Sequence, residues 1–250
     1  MLFELILFSR RRFSAKSNLP FPAKAPKIRN ATQVSNGNMD GIDISNYQSG
    51  ISLGSVSADF LIFKATEGNR FVDSSFTSWA NWAKSNGKLF GFYHFVNSPS
   101  VGGSFTAQAQ YFYNAVKSYV GTGIPFLDWE DASYSSVLSY GPSGALEFLN
   151  KFYELSGIRA MIYMSQSVTK EYDWSTVCKT YKLWMAQYAS MDPVHGYEDS
   201  PWRTAPGHWS DPPTIHQYSS AGYLSGYSSE LDLDKAYISS AQWKEIAEGK

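Results

Sequence analysis

Phe60-Leu-Ile-Phe-Lys-Ala-Thr66, the segment 74–86, and Lys88-Leu-Phe-Gly-Phe-Tyr-His-Phe95 together decide how this sequence folds. The two outer runs are short, apolar and rich in aromatic and β-branched residues, which is the composition of buried strands. The middle segment puts Phe76, Trp79, Ala80 and Ala83 three and four residues apart, so one face of a helix is apolar. Strand, helix and strand in that order form a crossover unit with parallel strands. The same alternation extends outward in both directions. Strands are predicted at 41–45, 60–66, 88–95, 124–129, 159–165, 182–188, 214–218 and 231–233, with helices at 74–86, 105–119 and 144–155. Eight strands over about 200 residues predict a closed α/β barrel around a parallel sheet. Beyond Tyr188 the helical periodicity stops, and 190–213 carries Pro193, Pro201, Pro206, Pro212 and Pro213. The expected architecture is a modified (β/α) barrel of the TIM type, with five βα units followed by three strands joined by loops.

Composition limits the alternatives. The 250 residues suffice for one large domain. With 43% hydrophobic and 17% charged residues, and 8 Trp, 17 Tyr and 16 Phe, the chain is neither disordered nor fibrous. The lone Cys178 excludes an internal disulfide framework and a multi-thiolate metal site, and reads as an inert thiol. The net charge of −1 averages two unlike parts, since residues 1–38 sum to +6 and the remainder to −7. Before Met39 an apolar start precedes Arg10, Arg11 and Arg12, the reverse of a secretory signal. That leader reads as a disordered basic tail, an organelle transit peptide, or the product of a start placed ahead of Met39, which leaves 39–250 as the catalytic domain. No run reaches the length of a membrane span.

Barrels of this type build their sites at the carboxyl ends of the strands. Four acids stand on apolar strand ends: Asp43 in Gly-Ile-Asp-Ile-Ser, Asp128 and Glu130 in Phe-Leu-Asp-Trp-Glu, and Asp232 in Glu-Leu-Asp-Leu-Asp. Residues i and i+2 of a strand share a face, so Asp128 and Glu130 point into the mouth together while Trp129 points away. Paired carboxyl groups suit glycoside cleavage, where one donates a proton to the leaving oxygen and the other stays ionised. Mutual repulsion raises one of the two pKa values and supplies the acid near neutral pH. Two residues along a strand span roughly 6.6 Å, close to the boundary between retaining and inverting pairs, so spacing leaves the stereochemistry open.

Seven segments in register carry a resemblance. Gly41-Ile-Asp-Ile-Ser-Asn-Tyr-Gln48, Phe63-Lys-Ala-Thr-Glu-Gly68, Gly91-Phe-Tyr-His-Phe95, Phe126-Leu-Asp-Trp-Glu130, Ile162-Tyr-Met-Ser165, Leu183-Trp-Met-Ala-Gln-Tyr188 and His216-Gln-Tyr-Ser219 resemble glycoside hydrolase family 25, the N-acetylmuramidase lysozymes of phage endolysins and autolysins. The resemblance spans about 40–237 and none of the leader. It implies a peptidoglycan hydrolase that cuts the β-1,4 bond between N-acetylmuramic acid and N-acetylglucosamine, needs no cofactor or metal, and acts as a monomer on glycan strands at the bacterial cell wall. By the same resemblance Glu130 is the proton donor. Asp128 either stabilises the developing cation or holds the substrate's 2-acetamido group as it attacks the anomeric carbon. Asp43 and Asp232 adjust the protonation of that pair, and Tyr93, Tyr163, Trp184, Gln187 and Gln217 shape the sugar site. Asp234 is a second candidate for the place given to Asp232. A substrate-assisted course is preferred because Asp128 is short and shares a face with the acid.

The rival chemistries have less in their favour. The histidines show neither i, i+4 pairing nor H-E-x-x-H, which speaks against a zinc amidase or peptidase. His94, inside an apolar strand, is expected to be a hydrogen-bonding residue of the pocket. The acidic domain lacks a basic stripe for nucleic acid. A chitinase-like hydrolase would carry a further acid where this chain has Phe126, and a non-catalytic wall-binding barrel would have little need of all four acids.

Overall fold

The computed structural model describes residues 28–29 and 37–250. The leader therefore lies outside the described residues, apart from the Ile28–Arg29 backbone, which pairs antiparallel with Tyr197–Glu198, and residues 37–38.

Eight strands close a barrel: β1 (Met39–Ile44), β2 (Phe60–Glu67), β3 (Leu89–Phe95), β4 (Ile124–Asp128), β5 (Met161–Ser165), β6 (Leu183–Ala186), β7 (Ile215–Tyr223) and β8 (Leu231–Ala236). Neighbours run parallel from β1 through β7, and β8 is antiparallel to both β7 and β1. The wholly parallel sheet expected from the sequence is thus corrected at its last strand. A parallel return needs a crossover of about a dozen residues or more, and the segment 224–230 between β7 and β8 is too short for one. The consequence is functional: the start of β8, not its end, lies beside the carboxyl ends of the other strands.

The outer layer holds α1 (Phe76–Ser85), α2 (Phe105–Val116), α3 (Gly141–Ser156) and the short α4 (Gln166–Glu171). These follow β2, β3, β4 and β5, whereas the connection after β1 has only the 3-10 turn Asn46–Gln48. In α2 the buried residues Phe105, Gln108, Ala109, Phe112 and Val116 recur at helical spacing, and Ser104 caps its start by accepting from the Ala107 amide. The left-handed Gly157 ends α3. One further helix, α5 (Ser240–Ala247), lies beyond the point where the sequence reading ends its helices; Ser239 and Gln242 form its capping box.

Alternation along the strands separates two cores. Ile42, Leu61, Phe63, Phe90, Phe92, Leu127 and Ile162 face the helices, together with Trp129. Met39, Phe60, Ile62, Ile124, Phe126, Met161, Trp184 and Ile215 fill the barrel, and Trp243 of α5 plugs its base with its ring 4.7 Å from Phe60. Two glycines make this filling possible. A Cβ on Gly41 would lie 2.4 Å from the Phe60 ring, and one on Gly91 would lie 2.4 Å from Phe126. With the lower barrel packed solid by rings, polar side chains are confined to the mouth.

Candidate active site

Carboxylates crowd one rim of that mouth. Asp43 at the end of β1 is the direct ladder partner of Asp232 at the start of β8. Two residues deeper on the same face of β8, Asp234 is fully buried, shares a hydrogen bond with Asp43 and accepts one from Trp184 Nε1 at 2.8 Å. The sequence alternatives Asp232 and Asp234 therefore occupy two levels of one wall, with Asp232 at the rim. Across the barrel Asp128 ends β4 at a position only 6% exposed, and the half-buried Glu130 follows two residues on. Between them the fully buried Trp129 turns to the helices, its ring 5.3 Å from Phe105. That is the expected alternation of faces.

Tyr93 locates the centre of the cluster. Burial pushes its hydroxyl well above the ordinary tyrosine range, and the charges of Asp43, Asp128, Asp232 and Glu130 all add to the effect. One phenol thus senses all four acids found in the sequence. Burial, and then the Glu130 charge, pushes Asp128 well above the ordinary carboxylate range, with Lys64 opposing. One oxygen of Asp128 has no hydrogen-bond partner. Burial and the Asp43 charge likewise raise Asp234. Desolvation and like charges thus both favour retention of protons here.

A hydrogen-bonded floor fixes the cluster. Gln217 Nε2 donates to Asp43 Oδ2 at 2.6 Å, and Gln217 Oε1 accepts from Tyr163 OH at 2.9 Å and also from Tyr188 OH. Both donors orient the amide, so its NH₂ faces the carboxylate. Trp184 is 2% exposed, with its ring 4.5 Å from Tyr163 and 5.2 Å from Phe126, and so forms the floor under the acids. Gln187 stands apart from this group: it accepts from the Thr204 amide at 2.7 Å and donates to Thr204 Oγ1 at 3.0 Å, which pins the 190–213 loop.

His94 is corrected from the pocket to the outer layer. It alternates with Tyr93 and so faces α2 and α3, bonded to Thr66 Oγ1 at 2.7 Å and Gln108 at 3.3 Å, with its ring stacked on Phe148. Burial lowers its pKa to about 3, and it stays neutral.

The sequence reading missed a second rim group. Lys64 Nζ donates to Glu67 Oε2 at 2.5 Å, while Glu67 Oε1 accepts from Tyr134 OH at 2.5 Å and Asn97 Nδ2 at 3.5 Å. Burial alone pushes the Glu67 carboxyl up, but Lys64 and these donors bring it below its ordinary value. A lysine on an otherwise apolar strand was the available signal. Tyr134, in a loop, offered none.

With this geometry in place, comparison with known proteins is decisive. The model of the glycosyl hydrolases family 25 matches residues 42–227. The chain belongs to this family. Family 25 membership makes it a glycoside hydrolase, and the structure gives it the family's TIM-like barrel. It is 30% identical over 186 residues to an N,O-diacetylmuramidase of Chalaropsis, covering 68% of this chain and 83% of the relative. It is 27% identical over 203 residues to the autolytic lysozyme of Clostridium acetobutylicum, covering 79% of this chain but only 55% of that longer protein. Its fold matches the crystal structure of the bacterial lysozyme from Streptomyces coelicolor with a TM-score of 0.69 and 25% identity, over 86% of this chain and 99% of that one.

Proposed function

We propose that this family 25 enzyme is a muramidase that cleaves the β-1,4 bond between N-acetylmuramic acid and N-acetylglucosamine in peptidoglycan, with Glu130 as general acid and Asp128 assisting. The observation that carries this reading is the convergence of Asp43, Asp128, Asp232 and Glu130 on Tyr93. Its likeness to an N,O-diacetylmuramidase supports the choice of substrate.

Burial and the Glu130 charge both favour a proton on this pair of carboxyl groups. Glu130, nearer solvent, delivers it to the glycosidic oxygen as the C–O bond breaks. The acetamido oxygen of the same sugar attacks the anomeric carbon and closes an oxazolinium ring, while Asp128 accepts the acetamido N–H and balances the positive charge. Water then adds to the anomeric carbon, returns its proton to Glu130, and reopens the ring. Asp43 and Asp232 supply the negative field that keeps the pair protonated once. Tyr93 and Tyr163 line the sugar site, Trp184 and Gln217 hold it from below, and Gln187 acts through the Thr204 loop. The enzyme acts as a monomer on glycan strands at the bacterial cell wall.

Turbidity loss of peptidoglycan suspensions by wild type and by Glu130→Gln tests this. The wild type lyses, and the variant loses about 10²–10⁴-fold in rate. Equal lysis by both would remove Glu130 from its role. Preference for chitin over muramic polymers would change the substrate, and wall binding without lysis would leave a non-catalytic barrel.

A further inference from the structure

The muramidase reading leaves Lys64 without a task, although its place in the mouth is specific. Phe60, Ile62 and Lys64 lie on the inner face of β2, with Lys64 the topmost of the three. Its ladder partner on β3 is Tyr93. Lys64 Nζ sits 4.9 Å from the ring centre of Phe95, and Phe95 is in turn the ladder partner of Asp128 on β4. The ammonium therefore lies over the β3 residue that pairs with Asp128, on the same inner face of the barrel.

Its position is locked. The 2.5 Å contact to Glu67 is backed by Tyr134 and Asn97, which hold the far oxygen of that carboxylate. Tyr134 belongs to the tight 131–137 turn directly after Glu130, where Asp131 Oδ1 accepts from the amides of Val137 and Leu138 at 2.6 and 2.9 Å. One connected set of bonds thus ties the chain after Glu130 to the Lys64 cation.

We propose that Lys64, held by Glu67 and Tyr134, is a positioning residue of the reaction: its ammonium stabilises negative charge on Asp128, so that the proton shared by the two carboxyl groups is available on Glu130. This rests on the muramidase reading for what the proton does, but not for where it sits. The other groups facing Asp128 work against the lysine. Glu130, Asp43 and Glu67 add negative charge, and burial favours the neutral acid. The neighbouring phenols, Tyr93 on β3 and Tyr163 on β5, carry no positive charge. Lys64 is the group that lowers Asp128. An opposite charge within about 4–6 Å lowers a carboxyl by roughly one to three pH units, and a more distant one by less.

Two measurements on Lys64→Met and Lys64→Arg test the proposal. In kcat/KM against pH, Lys64→Met moves the acid limb up by about one pH unit, costs about tenfold on that limb, and leaves KM unchanged, while Lys64→Arg restores the wild-type limb. In the substrate-free protein, carbon-13 carboxyl titration shows Asp128 ionising at higher pH in Lys64→Met. The double variant Lys64→Met with Glu67→Gln does not strand the Glu67 carboxylate and shows a smaller shift in the same direction, because the Glu67 charge that raises Asp128 is removed with it, which guards against misfolding of the single variant. A uniform loss of activity with an unmoved limb, or an Asp128 titration unchanged in both methionine variants, overturns the proposal. If the wild type fails to cleave peptidoglycan, the muramidase reading falls, and the carboxyl titration still decides the role of Lys64.

Discussion

The β1–β8 pair carries acids on both faces, and the two faces treat them in opposite ways. On the outer face Asp40 is 2% exposed, with Lys235 Nζ donating to its Oδ1 from a lysine that is itself fully buried. On the inner face Asp43 faces Asp232 and bonds Asp234, so a carboxyl meets carboxyls. The outer pair is a neutral structural unit. The inner group is an electrostatic conflict held in place by the packed floor of Trp184 and Gln217. Identical side chains three residues apart on one strand thus meet a lysine or other carboxyls according to the face they occupy.

Breaking each side should give opposite signatures. The largest effect belongs to the mouth: Glu130→Gln lowers lysis by about 10²–10⁴-fold with unfolding in urea unchanged. On the outer face Lys235→Met strands a buried carboxylate and costs about 3–5 kcal/mol in urea unfolding, whereas the double variant with Asp40→Asn recovers most of that. An equal cost in both variants would mean that packing rather than charge holds this wall.

The dependence of stability on pH separates the layers further. His94 and His216 are buried and neutral, with pKa values lowered to about 3 and about 4. Below pH 6.5 the unfolded chain protonates both while the native state does not, so their contribution is complete above 6.5 and is lost as pH falls towards those values. Asp128, raised by burial, has the opposite sign: it favours the native state at low pH and loses that contribution as pH rises through its folded value. In unfolding followed from pH 6.5 to 4.5 the two histidines lower stability with acid while the raised Asp128 and Asp234 oppose them, and His94→Gln should leave a variant whose stability is less sensitive to acid by about 1.4 kcal/mol per pH unit. The smallest effect returns to the mouth. Asp128→Asn, which removes a buried charge with one unsatisfied oxygen, should raise the melting temperature by about 2–4 °C while lysis falls. A lower melting temperature would show that the carboxylate stabilises the fold as well as serving the site.

Much of the barrel was legible because its signals are local. Strand runs and helical spacing lie in contiguous residues, and the alternation that separates Asp128 from Trp129 follows from strand geometry alone. The antiparallel β8 was not legible, because strand direction depends on the length of a connection and on which edges remain to be closed. Glu67 and Tyr134 were missed because their partnership joins positions 67 residues apart. His94 was assigned to the wrong face because an apolar strand buried on both sides gives no alternation of polarity to read.

By itself the sequence determined that the chain forms an α/β barrel, that Asp43, Asp128, Glu130 and Asp232 stand at strand ends, and that seven ordered segments resemble one hydrolase family. Each of these depends on residue types at short spacing. Only the tertiary structure decided that Asp232 stands at the rim with Asp234 beneath it, that Gln217 holds Asp43, and that Glu67 ties Lys64 to Tyr134. These are contacts between separate segments of the chain, and they exist only once the sheet has closed and the reversed β8 has brought its first residues to the mouth.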